Sequence, residues 1–213
     1  MKEINTLDIS CIVLAGGKSV RLGRNKIVET IGNKSLLQRV VSCLSVFNRN
    51  IIIVTAKEHT FSQFSDYPSL KIVSDIYPGK GSLGGIYTGL TVSDSFHNLV
   101  VAGDMPFLNH ALLGYMRQLS VNFDLVIPRF GNIVEPLHAI YSKACLAPIE
   151  NLFKQGNLKI IDFFPSVRVR YVEVEEINKF DPKHLSFFNV NTEVDLRAAR
   201  ELAAEEDIIH DKL

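Results

Sequence analysis

Apolar positions along the chain alternate between two kinds of pattern. Mostly apolar runs, of the sort that fill strands buried on both faces, stand at Ile9–Ala15, Ile51–Val54 and Leu99–Ala102, and Lys71–Ser74 reads as a short strand. Between them the apolar residues recur at helical spacing. Leu37, Val40, Val41 and Leu44 predict an amphipathic helix over Ser35–Phe47, and a second is expected from about Leu83 to Val92. Leu112, Leu113, Met116 and Leu119 line the core face of a third, which Asn109 can cap. Thr55–Leu70 is polar, with one weak helix around Phe61–Phe64. Further on, Leu125–Pro128 reads as a strand, Arg129–Asn132 as a turn and Ile133–Tyr141 as an extended return, which makes local antiparallel pairing the expectation here. Helices follow at Ala144–Gln155 and Leu158–Phe163, then a strand at Val167–Val174. A last helix, Glu193–Glu206, buries Leu196, Ala199 and Ala203. Thr192 and Asp195 form its capping-box-like start, and the tail after Asp207 is expected to fray. Strand and helix alternating throughout predict one α/β domain over residues 1–213, with a mostly parallel, doubly wound sheet and helices on both faces.

Composition narrows the classes. Twenty-three basic and 23 acidic residues give a formal net charge of zero, so bulk attraction to nucleic acid or membrane is not expected. No apolar run reaches the length of a membrane span, and Met1–Ser10 has no apolar signal-peptide core. Cys11, Cys43 and Cys145 are far apart, odd in number and without a C-x-x-C pair. That argues against structural zinc and a disulfide framework, and for a reducing, cytoplasmic setting. His59, His97, His110, His138, His184 and His210 lack metal-ligand spacing, so surface or hydrogen-bonded structural roles are expected for them. No Gly-x-Ser-x-Gly elbow or Cys/His arrangement points to nucleophilic catalysis.

The candidate chemistry lies where strands give way to loops. Directly after the first run the chain reads Leu14-Ala15-Gly16-Gly17-Lys18-Ser19-Val20-Arg21-Leu22-Gly23-Arg24-Asn25-Lys26. Glycines allow close backbone approach, and four cations crowd the same loop, a combination suited to a polyanion such as a triphosphate rather than to a merely solvated turn. The Gly17-Lys18-Ser19 step is not a P-loop, because that motif needs glycine where Ile12 stands. Asp75–Gly85 does contain Gly-x-Gly-x-x-Gly at Gly79, Gly81 and Gly84. Four residues, one a proline, separate it from the preceding strand, whereas a dinucleotide fingerprint sits at the strand–helix turn itself. Asp104 follows the Leu99–Ala102 strand, where open α/β sheets bind ligands, and Pro106 fixes its turn. A carboxylate there suits Mg²⁺, although Asp also caps turns.

Four separated motifs, Leu14–Lys26, Asp75–Ile86, Gly103–Phe107 and Phe188–Thr192, together resemble the molybdenum cofactor guanylyltransferase family, in that family's order and across nearly the whole chain. The first is shared with cytidylyl and sugar nucleotidyltransferases. The resemblance implies a nucleotidyltransferase fold in which Leu14, Ala15, Gly16 and Gly17 wrap GTP with backbone groups, Lys26 and Asp75 contact GTP, and Asp104 contacts both GTP and Mg²⁺. It implies transfer of GMP from GTP to the terminal phosphate of a molybdopterin, with pyrophosphate released, and transient contact with molybdopterin-delivering proteins. Two departures stand out: Gly103 replaces the cysteine usual before Asp-Met-Pro, and Thr55-Ala56-Lys57 replaces an asparagine that touches the nucleotide.

The attacking phosphate oxygen is already anionic, so no general base is needed; the demand is positioning and charge neutralisation. Arg21 and Lys26 are the expected neutralising cations, Asp104 the metal carboxylate, and Asp75 an acceptor for guanine or ribose. Glu135, Asn189 and Asn191 lie on later loops that face the acceptor, with turn and cap chemistry as their plainer reading. Rival readings are a sibling using CTP or a sugar phosphate, an NAD(P)-dependent oxidoreductase using Gly79–Gly84, and a nucleotide-binding protein without turnover.

Overall fold

A computed structural model describes residues 8–16, 26–48, 50–56, 64, 67 and 69–210. The elements in chain order are β1 (Ile9–Leu14), β2 (Thr30–Ile31), β3 (Lys34–Ser35), α1 (Leu36–Phe47), β4 (Ile51–Thr55), β5 (Leu70–Ser74), α2 (Gly81–Val92), β6 (His97–Ala102) and α3 (His110–Leu119). Then come β7 (Leu125–Phe130), β8 (Ile133–Val134), β9 (His138–Ser142), α4 (Leu146–Lys154), β10 (Val169–Glu173), the single turn α5 (Val174–Ile177) and α6 (Glu193–His210). The main sheet runs β10-β7-β9-β6-β1-β4-β5, with β8 paired to β7; β2 and β3 form a separate hairpin.

Every residue of β1 is buried, because the strand lies between two parallel neighbours and under helices on both faces. Its alternate residues feed two cores. Ile9, Cys11 and Val13 pack with Leu37, Val41 and Leu44 of α1 and Leu112 and Met116 of α3. Ile12 and Leu14 pack with Leu83, Ile86 and Leu90 of α2 and Ile149 and Leu152 of α4. A third cluster seats α6: Leu196, Ala199 and Ala203 pack on Ile31, Leu36 and Phe107. The expected α/β architecture, with helices on both faces of a mostly parallel sheet, is therefore present. β9, antiparallel to both β6 and β7, and the short β8, antiparallel to β7, are the exceptions, and they supply the local antiparallel pairing expected after β7.

Capping chemistry marks the helix starts, at Asn109 and Thr192 as expected and at Ser35 in addition. Ser35 and Gln38 complete a capping box on α1, the Asn109 side chain accepts the Leu112 N–H at 2.9 Å, and Thr192 and Asp195 exchange bonds at the start of α6. The helix expected over Leu158–Phe163 is a 3-10 helix over Ile160–Ser166, and three other boundaries also differ from expectation. Strand β7 extends through Arg129 and Phe130, since Arg129 stacks 4.2 Å from the Tyr171 ring and pairs with Glu173 on neighbouring β10. The extended return splits at Glu135–Leu137 into β8 and β9. The last helix continues to His210, past the expected fraying point. The weak helix expected around Phe61–Phe64 lies mostly outside the described residues.

His138 also departs from expectation. It is wholly buried, neither ring nitrogen has a hydrogen-bond partner among the described residues, and its ring lies 4.7 Å from that of Phe187. Burial pushes its pKa down to about 4, so the ring is neutral near pH 7. Among the described residues no helix is long and apolar enough to cross a membrane.

Candidate active site

Parallel strands leave β1 in opposite directions across the sheet, β4 on one side and β6 on the other. That is the switch point at which open α/β sheets bind ligands, beyond the strands' carboxyl ends. A cleft of about 670 Å³ opens there. Leu14, Ala15 and Gly16 reach it as β1 ends, Thr55 and Ala56 from β4, Asp75 from β5 and Asp104 from β6. Because β9 is reversed, the turn before it lies at the same edge and contributes Glu135 and Leu137. Asn189 and Asn191 complete the far wall, held there by the Val190 N–H donating to the Asp104 carbonyl at 3.0 Å. The structure thus brings together eight of the sequence-predicted residues: Leu14, Ala15, Gly16, Asp75, Asp104, Glu135, Asn189 and Asn191. Gly17 and Arg21 lie outside the described residues, as does the side chain of Lys26, whose backbone begins a short 3-10 helix.

The backbone around the cleft is tightly tied. Ala15 N–H donates to the Val54 carbonyl at 2.9 Å, Gly103 N–H to Leu14 at 3.0 Å and Asp75 N–H to Thr55 at 2.7 Å. A Cβ added at Gly16 would lie 3.3 Å from the Ala56 nitrogen, so the glycine loop leaves β1 pressed against the end of β4. Gly79 and Gly81 adopt φ of +87° and +60°, left-handed values that turn the chain into α2. Lys80 at the N-cap makes no side-chain capping bond and the first turn has no acid, so the positive end of α2 opens where Gly81 and Ser82 line the cleft. Residues 75–80 separate β5 from α2, so Gly79–Gly84 does not sit on a strand–helix turn and is not a dinucleotide fingerprint.

Three carboxylates line this cleft, Asp75, Asp104 and Glu135. Asp104 is 8% exposed, and Glu135 accepts the Leu137 N–H at 3.3 Å. Burial pushes the Glu135 pKa up and the charge of Asp104 adds to the rise, while the Leu137 bond opposes it. Oxygen donors from one or two carboxylates, with room for phosphates, are what a hard divalent cation such as Mg²⁺ takes. Asn189 also makes the local bond of its plainer reading, its Nδ2 donating to the Phe187 carbonyl at 3.2 Å.

Sequence reasoning missed three features. Thr88, on α2, donates to Asp75 Oδ1 at 2.7 Å; as one of two threonines in a largely apolar helix it carried little signal. Ser82 and the Thr55-Ala56 pair also line the cleft. Away from it, Cys43 Sγ lies 3.2 Å from His110 Nε2, a Cys/His contact that the sequence did not suggest. Burial pushes that thiol up to about 11, so it is not a thiolate at neutral pH and not an activated nucleophile.

Comparison with known proteins agrees with this geometry. The MobA-like NTP transferase domain family matches residues 11–169. A protein of Pelotomaculum thermopropionicum named "Probable molybdenum cofactor guanylyltransferase" is 36% identical over 197 residues, covering 92% of this chain and 94% of its own. The "Molybdenum cofactor guanylyltransferase" of Syntrophotalea carbinolica is 34% identical over 193 residues, 90% of each chain. The crystal structure of molybdopterin-guanine dinucleotide biosynthesis protein A from Archaeoglobus fulgidus superposes with a TM-score of 0.79 at 30% identity, covering 92% of this chain and all of that one. With its switch-point cleft, its glycine loop and relatives matched along nearly their full length, the chain belongs to the MobA-like NTP transferase family and is a nucleotidyltransferase of the molybdenum cofactor guanylyltransferase type.

Proposed function

We propose that the cleft binds GTP along Leu14, Ala15, Gly16, Gly17, Lys26, Asp75 and Asp104, and binds a molybdenum-molybdopterin against Glu135, Asn189 and Asn191. A phosphate oxygen of the acceptor attacks the α-phosphorus of GTP, forming a new P–O bond. The bond from that phosphorus to the oxygen bridging to the β-phosphate breaks, and pyrophosphate leaves with the electron pair. No proton has to be removed from the nucleophile, so the chain's work is to hold two polyanions in line and neutralise their charge. Arg21 and Lys26 supply that neutralisation in this reading, and the open positive end of α2 adds to it where Gly81 and Ser82 line the cleft. Asp104, with Glu135 near it, would hold Mg²⁺, which when bound supplies positive charge to the phosphate oxygens. One observation supports the proposal: a single cleft at the switch point is lined by Leu14, Ala15, Gly16, Asp75 and Asp104 together with Glu135, Asn189 and Asn191.

The domain is taken to fill residues 1–213, a reading supported by α6 packing against Ile31, Leu36 and Phe107. A cytoplasmic setting fits three free cysteines. The acceptor is bulky and is expected to be handed over by a molybdopterin-delivering protein.

Thermal shift tests the nucleotide half. Ligand at ~100 times its Kd stabilises by about 2.7 kcal/mol. At roughly 2–4 °C per kcal/mol for a domain of this size, GTP with Mg²⁺ should raise Tm by about 5–11 °C. CTP should do clearly less, and NAD and NADP almost nothing. A larger shift with CTP would move the base assignment to a cytidylyl sibling.

A further inference from the structure

Asp75 is not free to choose its orientation. Its Oδ1 accepts the Tyr77 N–H at 2.9 Å and the Thr88 hydroxyl at 2.7 Å. The same Thr88 oxygen accepts the Ile76 N–H at 3.1 Å. Thr88 is wholly buried, and its proton and a lone pair both go to the 75–77 turn. Gly84 lies one helical turn before it on the same face of α2. A Cβ there would meet the Tyr77 carbonyl oxygen at 2.9 Å and Asp75 Oδ2 at 3.2 Å. One face of α2 therefore does two things: a hydroxyl pins one carboxylate oxygen, and a missing side chain leaves room for the other.

We propose that Thr88 is a positioning residue for the nucleotide: with the space left at Gly84, it fixes the Asp75 carboxylate so that Oδ2 meets an N–H or O–H donor on the base or ribose. This rests on the reading of Asp75 as a nucleotide contact. Two bonds onto Oδ1 set the carboxylate's rotation, and Oδ2 then stands pre-oriented before the ligand arrives. Pre-orientation of a group remote from the reacting phosphorus strengthens ground state and transition state alike, so it acts on KM and not on kcat.

The test is steady-state kinetics on the full chain, varying GTP, with melting measured in parallel. Thr88→Val keeps the shape and removes the hydroxyl. It should raise the KM for GTP about 5- to 20-fold, the size of effect expected from one hydrogen bond, and leave kcat within about 2-fold. Thr88→Ser keeps the hydroxyl and should restore KM to within about 2-fold of the parent. Asp75→Ala should raise KM at least as much, and adding Thr88→Val to it should raise KM no further, because both act through one oxygen. Gly84→Ala gives a second route to the same signature and serves if Thr88→Val does not fold. An unchanged KM for Asp75→Ala would overturn the reading of Asp75 itself. A raised KM for Asp75→Ala alongside a parental KM for Thr88→Val, or for Gly84→Ala where Thr88→Val does not fold, would overturn the role of Thr88. So would effects of Asp75→Ala and Thr88→Val that simply multiply.

Discussion

Alanine placed at two helical glycines should give clearly different outcomes. Gly89 lies in α2 where the helix crosses β1, and an added Cβ would sit 2.5 Å from Ile12 Cγ2 and 2.9 Å from Ile12 Cδ1. Carbon atoms are at their best near 3.5–4.0 Å, so the overlap is roughly 1 Å. Ile12 cannot swing aside: it is wholly buried in the central strand, and a β-branched side chain is stiff at χ1. Gly114 in α3 has nothing within 4 Å of its added Cβ. Both substitutions gain the same ~0.8–1 kcal/mol of helix propensity, so that term cancels between them. What remains is the cost of overpacking at residue 89, about 1–3 kcal/mol. Gly114→Ala should therefore melt ~2–4 °C above the parent, and Gly89→Ala ~2–12 °C below Gly114→Ala. Differential scanning fluorimetry on the two proteins and the parent reads this directly. If Gly89→Ala gains as much Tm as Gly114→Ala, α2 does not lie against β1 as described, and the cleft wall built on it is misplaced.

Two further outcomes follow from buried groups. His138 has its pKa lowered to about 4 by burial, against about 6.5 unfolded. The unfolded chain then binds the extra proton between those values. Stability should be unaffected by this group above pH 6.5 and should fall by about 3 kcal/mol as pH drops to 4; denaturant titrations of His138→Leu should lack that component, and an unchanged pH slope would count against the buried neutral ring. For Cys43, burial holding the thiol at about 11 predicts slow native-state alkylation by iodoacetamide at pH 8 and rapid alkylation in denaturant; labelling at the rate of a free thiol would show that His110 activates it after all.

The parts of this fold that were legible in the sequence are those whose own residues declare them. Ile9–Leu14 is apolar but for Ser10, whose hydroxyl pairs with that of Ser95, because both its faces and both its edges are covered. Asn109 and Thr192 announce helix starts because their side chains satisfy local N–H groups. Of the residues that line the cleft, Gly16 and Asp104 were legible from their places at strand ends, which the topology puts there, whereas Asp75 came only through the family resemblance. The antiparallel return after β7 was legible from its tight turn, and it pairs with β7 as expected; the insertion of β9 between β6 and β7 was not, since a buried strand does not name its second neighbour. Thr88 was hidden as well, because its partner lies 13 positions away and a helical threonine has no local signature. Arg129 and Phe130 read as a turn only while Tyr171 and Glu173, which hold Arg129 in the strand, are unknown as neighbours.

The most direct measurement is turnover. Purified protein supplied with GTP, Mg²⁺ and molybdenum-molybdopterin should release one pyrophosphate for each guanine dinucleotide formed, and release none when the acceptor is withheld. Asp104→Asn keeps size and hydrogen bonding but removes the charge at the carboxyl end of β6, so turnover should fall at least ~10²-fold with Tm nearly unchanged. Pyrophosphate released faster from CTP than from GTP, or a folded Asp104→Asn protein that turns over at the parental rate, would contradict the account.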